Sequence, residues 1–166
     1  MEMDIIQPFI NAADAVLGVT LDCHTRIGEV TMEPEVYRGK GVAALITLAG
    51  DIEGHVIVDA DPTTAIRVAA RMSGVEIPES EQVVRETICE LANQIIGNAV
   101  TALNDQGFHF RVQPPQIHRG ESFSSNHDTE ALLMRFETPS GFVYVHVALH
   151  YNREKTQDLS AFSAQS

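Results

Sequence analysis

The chain has 166 residues, and its 11 Lys and Arg against 23 Asp and Glu give a formal net charge of 11 − 23 = −12. Nucleic-acid binding requires clustered cations that displace counterions, and an anionic membrane surface attracts positive charge. The charge therefore excludes both as partners. With 44% apolar residues, the length fits one folded domain, which we expect over 1–155, followed by a loosely ordered tail over 156–166.

The sequence gives no sign of secretion or membrane insertion. A membrane-spanning helix needs about 20 apolar residues, and no apolar run in this chain approaches that length. The first four residues (MEMD) lack the positive region and cleavage site of a signal peptide. We therefore expect a cytoplasmic protein. Cys23 and Cys89 show no C-x-x-C spacing, so both are expected to be reduced and to form neither a disulfide nor a zinc knuckle.

The first part of the chain predicts a helix followed by short strands. Between Asp4 and Leu17, apolar residues recur every three or four positions, as in an amphipathic helix, and Gly18 is the expected stop. Residues 26–60 change to β-type runs, VTM, VAALITLAG and HVIVDA. The last two runs predict a hairpin about a turn at 50–54.

Two helices are predicted next. Asp61-Pro62-Thr63 supplies an N-cap followed by Pro at the first helical position, which predicts a short helix over 63–72. A longer periodic stretch over 81–105 predicts a helix capped by Ser80 and terminated by Gly107. At 1.5 Å per residue this helix is about 37 Å long, which is enough to cross the domain.

The last part of the chain returns to strands. We expect a strand over 108–117, a polar loop over 118–130 and a second hairpin over 131–149. The order predicts an α+β fold of two helix-plus-three-strand units with an antiparallel β-sheet and a long helix. A shared fragment, Asn11-Ala12-Ala13 against Asn98-Ala99-Val100, agrees with an internal duplication.

A polar stripe follows the long helix opposite its apolar arc. The arc is Val84, Ile88, Leu91, Ala92, Ile95, Ile96, Ala99 and Leu103. The stripe, at spacings of four, three, four and four, is Glu86, Glu90, Asn93, Gly97 and Thr101. A solvated helix face usually mixes charges of both signs, whereas this stripe contains no cation.

Two residues of the stripe are poor helix formers. Gly97 costs about 1 kcal/mol relative to Ala in a helix interior, and Asn93 costs a few tenths, so stability explains neither. A missing side chain at Gly97 lets another backbone approach closely. One interpretation is a docking surface that presents the Glu90 carboxylate and the Asn93 carboxamide. The alternative is a solvated face with an incidental glycine.

Other common sites are not indicated. The seven histidines form no H-E-x-x-H or Cys/His grouping, so we expect no metal site. The glycines form no phosphate-binding motif, and the serines include no G-x-S-x-G elbow, which argues against nucleotide binding and serine hydrolysis.

The run Glu90 to Ala99, ELANQIIGNA, resembles the signature of the CheC/CheX family of bacterial phosphatases, which act on the phosphorylated chemotaxis response regulator CheY. That signature is an acidic or Ser residue, then Glu and Asn three apart, and a Pro further along the chain. Glu90 and Asn93 match the pair, and Glu86 stands where the family usually has Asp or Ser. The runs INAADAVLGV and LAGDIEGHVIV are also similar to CheX-type chains.

The resemblance implies a role for each matching residue. Asn93 is the catalytic carboxamide that orients the attacking water, and Glu90 forms a salt bridge with the regulator's Lys beside the phosphorylated Asp. The regulator supplies the Mg²⁺, so the chain needs no cofactor of its own. The remaining candidates, expected to contact the partner, are Glu86, Gly97, Asn98, Pro114 and Pro115.

CheC-type chains carry two copies of the pair and CheX-type chains carry one. In the first helix, Met3 and Ile6 fall where Glu90 and Asn93 do, so this chain is nearer CheX. The resemblance also implies a homodimer formed through exchanged β-structure. Two alternatives to a phosphatase remain. One is a non-catalytic module that docks receiver domains, as in flagellar switch proteins, and the other is a purely structural dimerisation domain.

Overall fold

The computed structural model describes residues 3–22, 24, 26–32, 36–74, 80–120, 124–126 and 131–152. In these ranges the chain forms three helices and nine strands. They are α1 (Met3–Thr20), β1 (Arg26–Met32), β2 (Val36–Arg38), β3 (Val42–Gly50), β4 (Ile52–Ala60), α2 (Pro62–Ser73), α3 (Glu81–Asp105), β5 (Phe110–Val112), β6 (Gln116–Arg119), β7 (Ser124–Asn126), β8 (Leu132–Thr138) and β9 (Gly141–Tyr151). The predicted domain end at 155, the tail over 156–166 and Cys23 lie outside the described residues.

Seven strands form one antiparallel sheet in the order β1-β8-β9-β4-β3-β5, and β6 also pairs with β3. The two predicted hairpins, β3–β4 and β8–β9, lie side by side and join through β4 and β9. Each hairpin is flanked by strands from the other half of the chain, since β1 pairs with β8 and both β5 and β6 pair with β3. This arrangement confirms the α+β antiparallel fold class and agrees with a duplicated unit.

The hydrophobic core lies between one face of this sheet and the helices. Successive strand residues point to opposite faces, and Val56 and Val145 are examples that turn inward at 0% exposure. They pack in one cluster with Phe9 of α1 and Leu91 of α3, which are also 0% exposed. Burying one such side chain stabilises the fold by about 1.5–3 kcal/mol. Among the described residues, no helix is long and apolar enough to cross a membrane.

The first helix is longer than predicted. Gly18 does not end α1, which continues to Thr20. The reason lies one turn beyond the predicted end, where Leu21 is 2% exposed in the core and its N–H donates to the Leu17 carbonyl at 3.0 Å. The helix ends at Thr20, and Asp22 in the turn that follows has a left-handed φ of 48°. Packing of Leu21 therefore overrides the low helix propensity of glycine.

Four short strands, β2, β5, β6 and β7, differ from the sequence prediction. The single strand expected over 108–117 is divided into β5 and β6, because Pro114 and Pro115 lie between them and have no N–H to donate to a sheet. The segment expected as a polar loop over 118–130 contains the end of β6 and all of β7. β7 pairs with β2, which was also missed. Strands of three residues are too short for a periodic pattern to reveal.

The second face of the sheet is partly covered by β2. Tyr37, 1% exposed, donates a hydrogen bond from its hydroxyl to Asp59 Oδ2 at 2.6 Å and packs its ring against His146 at a centroid distance of 4.7 Å. Burial raises the pKa of the Asp59 carboxyl above its usual range, and the hydrogen bond from Tyr37 opposes that shift. These contacts place Tyr37, Asp59 and His146 on the side of the sheet opposite the helices.

Asp61 holds the first turn of α2 and provides a stability test. Its Oδ1 accepts from the Thr64 N–H at 2.9 Å, and its Oδ2 accepts from the Thr64 hydroxyl at 2.8 Å. We expect Asp61→Ala to lower the free energy of unfolding by about 1 kcal/mol, measured by urea denaturation. Asp61→Asn keeps an acceptor and is expected to lose less than half of that. Equal losses in the two variants would contradict a capping role.

Candidate functional site

The long helix α3 positions the predicted stripe. It begins and ends where the sequence predicts, with Ser80 Oγ accepting from the Val83 N–H at 3.3 Å at one end and Gly107 in a left-handed conformation, φ 97°, just beyond the other. All members of the predicted apolar arc are buried, and Thr87 joins them. Because the arc packs against the sheet and α1, the opposite side of α3 faces solvent.

All five stripe residues are exposed. Part of the stripe lies in an open depression of about 690 Å³. The depression is lined by Gln82, Arg85, Glu86, Cys89, Glu90, Asn93 and Gln94. Glu90 and Asn93 are three residues apart, so their side chains project from the same side of α3. The arrangement presents a carboxylate and a carboxamide together to any molecule that docks here.

Hydrogen bonds orient the carboxylate and leave the carboxamide available. Gln94 Nε2 donates to Glu90 Oε1 at 3.3 Å, and the Thr20 hydroxyl of α1 donates to Gln94 Oε1 at 3.3 Å. Asn93 makes no side-chain hydrogen bond with any residue that the structure describes. Its oxygen can therefore accept, and its amino group can donate, to a water or a partner.

Four residues outside the stripe also line the depression, and two of them, Arg85 and Cys89, carry an ionisable group. Arg85 lies at its N-terminal end and pairs with Glu81 at 3.6 Å, so a cation adjoins the stripe even though the stripe itself has none. Cys89 is partly buried, and burial, followed by the charge of Glu86, raises the pKa of its thiol. A raised pKa disfavours the thiolate, which argues against Cys89 as a nucleophile.

The other predicted contact residues lie outside the depression. Gly97 and Asn98 are exposed on the next turn of α3. A Cβ added at Gly97 meets nothing within 4 Å, so no described part of this chain fills the gap that glycine leaves. Pro114 and Pro115 lie in the connection between β5 and β6. The structure therefore brings together Glu86, Glu90 and Asn93 only.

Gly97 is helical and has open space around it, which permits a second stability test. We expect Gly97→Ala to raise the free energy of unfolding by about 1 kcal/mol, because alanine loses less backbone entropy in a helix interior. Chemical denaturation of the isolated protein measures this change. An unchanged or lower stability would show that glycine is required by the fold itself rather than by a partner.

The first helix does not repeat the pair. Ile6, at the position matching Asn93, is 0% exposed in the core, and Met3, at the position matching Glu90, is 42% exposed. Neither side chain offers a carboxylate or a carboxamide. Among the described residues, the pair on α3 is therefore the single copy of this arrangement.

Comparison with known proteins identifies the family. The family described as chemotaxis phosphatase CheX matches residues 42–137, more than half of the chain, and this segment includes all of α3. The chain belongs to the CheX family. The resemblance inferred from the ELANQIIGNA run is thereby confirmed.

Individual relatives agree with this assignment. A Thermotoga maritima protein described as CheY-P phosphatase CheX is 24% identical over 121 residues, which span 72% of this chain and 78% of that protein. The crystal structure of a CheX from Desulfovibrio desulfuricans is 26% identical, with a TM-score of 0.76 over 89% of this chain and 99% of that one. A chain of the CheX–CheY–BeF₃–Mg²⁺ complex from Borrelia burgdorferi is 33% identical, with a TM-score of 0.67 over 87% and 97%.

Proposed function

We propose that this protein is a phosphatase that hydrolyses the aspartyl phosphate of a CheY-type response regulator. The observation that carries the proposal is the exposed Glu90–Asn93 pair on α3 of a CheX-family chain. The Thermotoga maritima relative described as a CheY-P phosphatase supports the reaction. The Borrelia burgdorferi structure of CheX with CheY supports the partner.

Asn93 is assigned the positioning of water. In the reaction, a water oxygen attacks phosphorus in line with the Asp carboxylate, the phosphorus–carboxylate bond breaks, and negative charge spreads over the phosphoryl oxygens. A carboxamide accepts a hydrogen bond from that water without adding negative charge beside the phosphoryl group, which a carboxylate would repel. Because the Asn93 side chain has no hydrogen bond within the described residues, binding water does not require it to break one.

Glu90 is assigned the anchoring of the partner. Its carboxylate is exposed, and Gln94, itself contacted by Thr20 of α1, donates to it at 3.3 Å. A charge-assisted hydrogen bond from the regulator's Lys to this carboxylate fixes the register of α3 against the partner. Asn93, almost one turn further along, is then held at the phosphoryl group. Glu86 and Gly97 lie before and after the pair, where they contact the same partner.

The Mg²⁺ in this proposal belongs to the regulator. Among the residues that the structure describes, no three His, Cys, Asp or Glu side chains are grouped as a metal site requires. The described lining of the depression has only two carboxylates, Glu86 and Glu90, which are too few to hold a metal ion of their own. We therefore assign them to cations that the partner supplies. The proposal also includes a cytoplasmic homodimer, with Asn98, Pro114 and Pro115 as further partner contacts.

Phosphate release from a phosphorylated receiver domain tests the proposal. Catalytic amounts of the protein are expected to release phosphate faster than the spontaneous rate, in proportion to protein concentration. A non-catalytic docking module would bind the receiver, detected by titration against the BeF₃⁻-treated form, and leave the rate at its spontaneous value. A structural dimerisation domain would do neither.

A further inference from the structure

The surface has a second depression, of about 630 Å³. It is formed by the C-terminal end of α1, the outer side of α2 and the turn between β8 and β9. Its lining includes Ile66, Arg67 and Arg71 of α2 and Leu21 and Asp22 after α1. It combines apolar surface with two of the 11 cations of a chain that carries a net charge of −12.

The two arginines are weakly committed to the fold. Arg71 pairs with Asp22 at 3.5 Å, but the side chains are 51% and 91% exposed, and such surface pairs contribute little. Arg67 forms no ion pair with the residues that the structure describes. Like charges four residues apart destabilise a helix, and only Arg71 is in the last turn, where the helix dipole favours a cation. Stability therefore does not explain Arg67.

The depression also has an apolar part. Ile66 precedes Arg67 on α2 and is 46% exposed. Ala70 and Leu21 also line the depression. Aliphatic side chains beside guanidinium groups suit a partner segment that is acidic and carries an apolar residue.

The end of α1 connects the two depressions. Thr20 donates to Gln94, which lines the first depression, and Asp22, two residues later, lines the second. Two residues of chain span at most about 7.6 Å. A specific interface covers about 800 Å² per partner, a patch about 30 Å across. A partner seated on Glu90 and Asn93 is therefore large enough to reach the second depression.

The chemistry of the proposed reaction explains why cations are needed there. Besides its Lys and Mg²⁺, a phosphorylated receiver brings a phosphoryl group and the carboxylates of its metal site towards a surface that already carries Glu86 and Glu90. The net charge of −12 on this chain repels those anionic groups at long range. Local positive charge beside the site offsets the repulsion and sets the orientation of approach.

We infer that Ile66, Arg67 and Arg71 form a second contact with the receiver domain and bind an acidic segment of its surface. The inference rests on the proposed function and adds a docking site to it. Asn93 sets the rate of the chemical step, whereas the second contact sets affinity and its dependence on salt.

Kinetics with the double variant Arg67→Glu, Arg71→Glu test this inference. We expect KM for the phosphorylated receiver to rise about 10-fold or more, with kcat within twofold of the wild type. The KM of the wild type is expected to rise with salt, and that of the variant to rise less. The paired variant Arg38→Glu, Arg111→Glu, which makes the same charge change at exposed positions on β2 and β5, is the matched control and leaves KM within twofold. Equal KM values in the double variant and this control would overturn the inference.

Binding to the BeF₃⁻-treated receiver separates this inference from the proposed function. If the wild type binds but releases no phosphate, the proposed function fails, and a weaker Kd in the double variant still supports the second contact. If the wild type is active and the double variant has unchanged KM and Kd, the second contact alone fails. Arg67→Gln, Arg71→Gln, expected to give a smaller change in the same direction, is used if the Glu variant unfolds in circular dichroism.

Discussion

Asn93→Ala is expected to lower kcat for phosphate release by about 100-fold or more, with KM within about twofold of the wild type. The side chain is exposed and makes no hydrogen bond with the described residues, so its removal leaves the fold of α3 intact. What is lost is the group that holds the attacking water in line. Steady-state phosphate release at several receiver concentrations separates kcat from KM.

Asn104→Ala is the matched control for this prediction. Asn104 is exposed on the same helix, about three turns beyond Asn93 and outside the depression. The control is expected to keep full activity. A rise in KM with unchanged kcat in Asn93→Ala would show that the carboxamide binds the partner rather than positioning water. Full activity in Asn93→Ala would remove it from the mechanism.

Glu90→Gln is expected to lower kcat/KM by about 30-fold, with an increase in KM and a decrease in kcat. Removing one partner of a desolvated ion pair costs about 2–5 kcal/mol, and the lower end applies because Glu90 is exposed before the partner docks. The receiver's Lys is then left without its counter-charge, and α3 is less well registered against the phosphoryl group. Both phosphate release and binding to the BeF₃⁻-treated receiver measure this loss.

The control for Glu90 removes the same charge elsewhere on α3. Asp105→Asn changes an exposed carboxylate at the end of the helix, away from the depression. It is expected to leave both kcat and KM within twofold. If Asp105→Asn and Glu90→Gln have equal effects, the general charge of the helix matters and the specific salt bridge is contradicted.

The long helix α3 was predictable because its apolar arc, its polar stripe and the residues that mark its ends all lie in one continuous segment of sequence. The apolar arc from Val84 to Leu103 repeats at helical spacing over many turns, and all of its members are buried. Ser80 and Gly107 mark its ends as expected. A stripe opposite a buried arc must face solvent, so the exposure of Glu90 and Asn93 followed from the same pattern.

Features that depend on distant parts of the chain were not predictable. The contact between Thr20 and Gln94 joins residues 74 positions apart, and no local pattern encodes it. The second depression has the same origin, since α1, α2 and the turn between β8 and β9 meet only in the folded protein. The length of α1 depended on the tertiary packing of Leu21, which outweighed the local effect of Gly18.

The central claim is that Asn93 on α3 accelerates hydrolysis of a receiver's aspartyl phosphate. The most direct measurement follows phosphate release from a phosphorylated CheY-type receiver, with the wild type and with Asn93→Ala, at concentrations where both bind the receiver. We expect release that quickens in proportion to wild-type concentration and, with Asn93→Ala, an increase over the spontaneous rate that is about 100-fold smaller or less. Equal rates with the wild type, with the variant and with no protein added would contradict the claim.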